Sequence, residues 1–237
     1  MRILFENIIK DADISSLQES LNYPASNLSH PYIKKRYQSN GSITDTITIL
    51  FAEDRSANCI FYGNHNLTDL VIRLKDSGGI TILTINITDP TDGNGREYFS
   101  TFTNIRSIEI DVTGPSPAPY LGGFAAGIYY QNINFLTGYP EGAQANWVVN
   151  KSPSGQTNVN NVKPLREFSF QFRERTKEDK DEFLSLIDEN GPGPHWHDLT
   201  ECDINFLPIQ YATIVAYPGM QRNGRRYDNN LSIQESR

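Results

Sequence analysis

The chain of 237 residues has little cysteine, methionine or tryptophan, two of each, and it is short of positive charge. Cys59 and Cys202 lie far apart in sequence, which excludes a disulfide scaffold of the kind that holds small secreted domains, so two reduced thiols are expected. Lys and Arg number 21 against 28 Asp and Glu, a formal net charge of −7. Splitting the chain near residue 125 leaves 10 basic and 14 acidic residues before it, 11 and 14 after it. Neither half carries the basic footprint that a phosphate backbone requires, and nucleic acid is not an expected partner. No apolar run reaches transmembrane length, and Met1–Asn7 lacks the long apolar core of a signal peptide, so neither membrane insertion nor a leader is expected. Six Asn-x-Ser/Thr sequons, at Asn27, Asn40, Asn66, Asn86, Asn150 and Asn230, read as by-products of 22 asparagines.

Catalytic signatures are missing as well. G-x-S-x-G, H-E-x-x-H, the P-loop and a strand-linked G-x-G-x-x-G do not occur, and Gly93-Asn94-Gly95 lies in a long turn with no helix behind it. The carboxylate pairs Glu53-Asp54 and Asp11/Asp13 sit in polar surroundings, where solvation explains them better than a glycosidase dyad. His195-Trp196-His197, with Asp198, Glu201, Cys202 and Asp203 nearby, is the most tempting constellation, because histidines two apart on an extended segment share a face and could share a metal. The ligand spacings of structural zinc sites are absent, and the competing reading is a solvent-facing turn with a packed Trp196. No catalytic, cofactor-binding or metal residue is therefore assigned, and no cofactor is expected. Lys34-Lys35-Arg36 reads as a solvated face in preference to a phosphate patch.

What the chain does contain is apolar and aromatic material for a core: 38% hydrophobic and 11% aromatic residues, punctuated by 17 Gly and 13 Pro. In the first half, Ile43–Phe51, Ile60–Tyr62, Leu70–Leu74, Ile80–Thr88 and Ile105–Val112 read as five short strands. Turn signals separate them at Asn40-Gly41, Gly78-Gly79, Asp89–Gly95 and Gly114–Pro117. Such spacing implies a sandwich. Tyr120–Phe124 and Gly127–Tyr130 carry enough apolar surface to close it, which sets the expected domains at residues 1–130 and 131–237. In the second half, Phe168, Phe170 and Phe172 alternate with polar residues as in a strand. Thr176 caps a helix expected over about 177–189, with Phe183, Leu184 and Ile187 as its apolar stripe and Asn190-Gly191-Pro192 as its stop. Strands are expected at Tyr211–Tyr217 and Leu231–Ile233, and Arg222–Arg226 reads as a hairpin tip.

Order and spacing in the first half are similar to a known module. Tyr23-Pro24-Ala25-Ser26-Asn27-Leu28, Tyr37-Gln38-Ser39, Ile60–Leu67 with Asn64-His65-Asn66-Leu67, and Ile105–Ile110 together resemble the discoidin-like (galactose-binding-like) jelly roll of tailed-bacteriophage proteins. Tyr120–Phe124 with Gly127 is similar to the strand that closes it. The second half resembles the β-sandwich-plus-helix unit of phage tail-tube and minor tail proteins, departing from it at Pro192 and Pro194. The resemblance implies a mainly β fold, a jelly-roll sandwich followed by a β-sandwich with one packed helix. It also implies a non-enzymatic component of a virion tail whose partners are other tail proteins in a homo-oligomeric ring. The alternative is a carbohydrate-binding module for host-surface attachment; for a bound sugar, the expected site by its chemistry is the loops at one end of the sandwich, where those around Tyr32, Asp92 to Arg96 and Tyr98 could supply aromatic faces and planar amides. By their chemistry, His65, Asn64, Asn66, Asn27 and Ser39 are expected to fix turns through local hydrogen bonds.

Overall fold

Ile- and Thr-rich alternation makes strands, and the computed structural model of the chain is mainly β, with one α-helix among the described residues. It describes residues 2–30, 34–90, 94–115, 118–131, 141–144, 147–151, 157–161, 165–174, 176–191, 193–198, 209–216, 221–223 and 226–235. The first elements are β1 (Arg2–Leu4), β2 (Asp13–Ser16), a 3-10 turn (Ala25–Ser29), β3 (Tyr37–Gln38), β4 (Thr44–His65), β5 (Asp69–Lys75), β6 (Thr81–Thr88), β7 (Gly95–Thr113), β8 (Tyr120–Gly127) and β9 (Tyr130–Gln131). Then follow β10 (Glu141–Gln144), β11 (Trp147–Lys151), β12 (Thr157–Asn161), β13 (Leu165–Glu174), α1 (Lys177–Asn190), β14 (His195–Asp198), β15 (Ile209–Ala216), β16 (Gln221–Asn223) and β17 (Arg226–Glu235). Two compact units result: Arg2–Gln131 with Trp196–Gln210, and Asn132–His195 with Tyr211–Ser236. No helix among the described residues is long and apolar enough to cross a membrane.

The first unit is a jelly-roll-type sandwich built on two long strands. The expected strands Ile43–Phe51 and Ile60–Tyr62 are halves of one, because β4 runs unbroken for 22 residues. The polar stretch between them, which looks like a gap, is an exposed bend where the register with β7 shifts repeatedly between Leu50 and Cys59. Bulges bend strands without ending them. The charges on the bend are paired, Arg55 to Glu53 at 3.2 Å and Arg106 Nε to Asp54 at 2.9 Å. The first half of β4 lies with β2, β7, β5 and β6, and the second half lies between the start of β7 and β8, which carries β3. Both halves feed one core: Ile47 and Ile49 from the first, Ile60 and Tyr62 from the second, with Leu70, Ile72, Ile108, Ile110 and Phe124.

Cys59 to Gly63 are buried on both faces of β4, which calls for a further layer. It is supplied by β14, β1 and β9, paired antiparallel with Arg2 opposite Asp198 and Gln131, and Leu4 opposite Trp196. Segment His195–Asp198 is thus a buried strand, not the solvent-facing turn expected from its polarity, because β1 takes up its backbone groups. Trp196 is 3% exposed and stacks on Phe61 with ring centroids 5.7 Å apart and planes 19° from parallel. A Cβ on Gly127 would come within 2.5 Å of the Glu6 carbonyl and 2.9 Å of Leu4, so the approach of β1 to β8 requires glycine there. Cys59 is a free, buried thiol, and burial pushes its pKa up to about 12 even though backbone hydrogen bonds to Gly127 and Tyr129 oppose the shift.

In the second unit, β10, β13, β17 and β15 form an antiparallel sheet with β16 on β17, and β11 pairs with β12. The aromatic strand is present as β13, with Phe168 opposite Ile233 and Phe170 opposite Leu231. β16 pairs antiparallel with β17, Asn223 opposite Arg226; Gly224 and Arg225, the expected hairpin tip, lie outside the described residues. Helix α1 starts at a capping box between Thr176 and Asp179 and ends at Gly191, whose φ of 73° suits glycine. It lies against β13 and β17, and Phe183 is its fully buried residue.

Trp196→Ala is expected to cost about 3–5 kcal/mol through the cavity left over Phe61, read as a lower midpoint in urea unfolding. In a Cys202→Ser background, Cys59 is expected to resist iodoacetamide at pH 8 in the native protein and to react within minutes in guanidinium, as judged by mass spectrometry.

Candidate functional site

Asp198 lies within the first unit on β14, its side chain 1% exposed. A buried carboxylate needs donors, and they come from β1 and β7. Arg96 Nε lies 2.7 Å from Asp198 Oδ2, Arg2 Nη1 3.8 Å, and the Tyr98 hydroxyl donates to the same oxygen at 2.7 Å. Arg2 also lies over the Tyr98 ring at 4.6 Å and the Tyr129 ring at 5.5 Å, with the two rings edge to face. Burial, then the hydrogen bond to Asp198, raises the Tyr98 phenol above its ordinary value. Arg96 and Tyr98, named above as candidate sugar contacts, are committed to this internal ion pair; Tyr32, Asp92 and Gly93 lie outside the described residues. His195 Nε2 is 3.0 Å from the Gly191 carbonyl, and His197 is fully buried. No group of three or more His, Cys, Asp or Glu that could hold a metal occurs among the described residues. Glu201, Cys202 and Asp203 are not among them.

The asparagine and serine positions do fix turns. Asn66 Nδ2 donates to the Ala118 carbonyl at 3.1 Å while its Oδ1 accepts from Tyr120 N–H at 2.7 Å, tying the end of β4 to the start of β8. His65 Nδ1 accepts from Leu67 N–H at 3.3 Å, and Asn64 occupies the left-handed region at φ 50°. Asn27 Nδ2 donates to the Arg36 carbonyl at 2.9 Å, and Ser39 Oγ to the Ser42 carbonyl at 2.5 Å.

These bonds hold together a loop cluster at one end of the sandwich. Ser20 N–H donates to the Gln38 carbonyl at 2.9 Å, Gln38 N–H to Tyr23 at 3.0 Å, and Ser39 N–H to Pro119 at 3.1 Å. On this backbone sit Tyr23, 39% exposed, and Arg36, whose guanidinium lies 5.3 Å over the Tyr23 ring and 4.3 Å over the Tyr120 ring. Arg36 Nη2 donates to Gln38 Oε1 at 3.1 Å. Leu17 and Leu21 stand exposed on the same loop as Tyr23. Lys34 and Lys35 are solvated, as the sequence suggests, but Arg36 is packed between rings. The arrangement offers an aromatic face, a guanidinium edge and a planar amide within one preformed surface. Arg36-Tyr37-Gln38 carries the missed signal: in a strand of period two, the residues flanking a buried tyrosine share the outer face.

No protein-family model matches the chain, and no curated protein matches it either. Solved structures do. The lectin domain of lectinolysin complexed with Lewis b antigen aligns with a TM-score of 0.46 at 9% identity, over 51% of this chain and 95% of that one. A fucose-binding module of Streptococcus pneumoniae, SpX-3, aligns at 0.44 and 11%, over 54% and 98%. The chitosan-binding module 1 of a Paenibacillus chitosanase/glucanase aligns at 0.44 and 13%, over 51% and 96%.

Asp198→Asn leaves Arg2 and Arg96 without their shared charge and is expected to destabilise the fold by about 3 kcal/mol, the low end for a broken buried pair because both arginines keep some water. Equilibrium urea denaturation measures it, and a loss below about 1 kcal/mol contradicts the role given to Asp198.

Proposed function

We propose that the Arg2–Gln131 unit is a non-enzymatic carbohydrate-binding module and that the loop cluster bearing Tyr23, Arg36, Gln38 and Tyr120 is its binding surface. The observation that carries the reading is the exposed Tyr23 ring with Arg36 stacked against it and the Gln38 amide alongside. A sugar ring offers apolar C–H faces and a fringe of hydroxyls, and the cluster offers an aromatic face and planar hydrogen-bonding edges to match them. The resemblance of residues 1–130 to the galactose-binding-like jelly roll supports the same reading. Its bacteriophage setting completes the proposal: the module sits on a virion tail among other tail proteins, in a ring of identical copies, and attaches to host-surface carbohydrate.

Reproducible, sugar-competable binding on a glycan array is the expected result for the purified chain, with Tyr23→Ala lowering affinity about tenfold, equivalent to roughly 1.4 kcal/mol. Silence across the array from folded protein rejects the proposal.

A further inference from the structure

In an acidic protein most arginines find carboxylates. Among the described side chains, Arg2 and Arg96 reach Asp198, Arg55 reaches Glu53, Arg73 reaches Asp111, and Arg106 reaches Asp54. Arg36 is the exception: no carboxylate among the described residues lies within ion-pair distance of it, and its side-chain hydrogen bond goes to the neutral Gln38 Oε1 at 3.1 Å. The charges next to it in sequence have the same sign. Lys34 is exposed, and the Lys35 ammonium lies 3.0 Å from His30 Nε2. Glu19, on the loop that leads to Tyr23, has its Oε2 engaged by the Ala25 N–H at 2.8 Å.

A guanidinium carries several N–H donors in a rigid plane, and the bond to Gln38 uses one of them. Stacking on Tyr120 and Tyr23 covers faces of the group and fixes its plane, while leaving donor edges for a ligand. The natural complement of such an edge is a planar anion, to which two parallel bonds form. We infer that the ligand of this surface is an acidic saccharide, one whose ring carries a carboxylate as a uronic acid does. The carboxylate takes the Arg36 edge, a ring face lies on Tyr23, and Lys34 and Lys35 add long-range attraction. The inference rests on the carbohydrate-binding reading and names the class of sugar.

The test is an array of galacturonate, glucuronate and mannuronate oligomers beside their methyl esters and the matching neutral hexose oligomers, followed by titration calorimetry on the best acid and its ester. The acid is expected to bind at least about tenfold more tightly than the ester, by the equivalent of one charge-assisted pair. Arg36→Gln is expected to abolish that preference and Arg36→Lys to keep part of it, both at an unchanged melting temperature. Raising salt from 50 to 500 mM is expected to erode acid binding and leave neutral binding alone, as screening requires of about this ionic-strength range; this arm uses the unaltered chain and stands whether or not the variants fold. Equal binding of acids and neutral sugars, an acid preference that survives Arg36→Gln, or one insensitive to salt overturns the inference while the sugar-binding reading survives. Silence across every glycan overturns both.

Discussion

A carboxylate stripped of water must be surrounded by donors, and the first unit is organised around that requirement at Asp198. Its donors belong to residues 2, 96 and 98, so meeting it brings β14 and β1 together on the β4/β8 layer. Apolar consequences follow from the same placement: Trp196 stacks on Phe61, and Leu4 closes on Gly127. Asp45 works in the same way within the sandwich. It accepts from the hydroxyls of Ser16 and Tyr37 and from Thr46 N–H, joining β2, β3 and β4. Buried charges of this kind add little net stability relative to a well-packed apolar core. What they do is select which distant segments meet.

That selection also sorts the surface chemistry. Arg96 and Tyr98 look like binding residues in the sequence because they flank a loop and combine charge with an aromatic ring, yet Asp198 uses both. Arg36 looks like one of three solvated charges, yet its two tyrosines hold it in place and no described carboxylate neutralises it. A functional reading therefore depends less on which residue types are present than on which of them the fold leaves uncommitted.

Local features of the fold were legible. Period-two alternation marks β5, the core-facing half of β7 and β13, the Thr176 box and Gly191 mark both ends of α1, and asparagines at 27, 64 and 66 mark turns, because each of these signals acts over a few residues. The continuity of β4 was not legible, since the charges of its bend look the same in sequence as those of a loop; pairing with β7 distinguishes them. Nor was the burial of His195–Asp198, because the strand that covers its polar backbone begins at residue 2. The platform itself was half visible: Tyr23 and Tyr120 lie in the segments that resemble the jelly-roll module, whereas the packing of Arg36 against them depends on three segments distant in sequence.

One continuous β4 through both leaves of the sandwich has a mechanical consequence. There is no seam along which one leaf can peel from the other, since the same backbone is hydrogen-bonded in each. The same run of backbone therefore fixes how the two leaves sit on each other. On the carbohydrate-binding reading proposed above, a sugar meeting Tyr23 and Arg36 would find them already placed by backbone hydrogen bonds, and little of the attraction would be spent on ordering the protein.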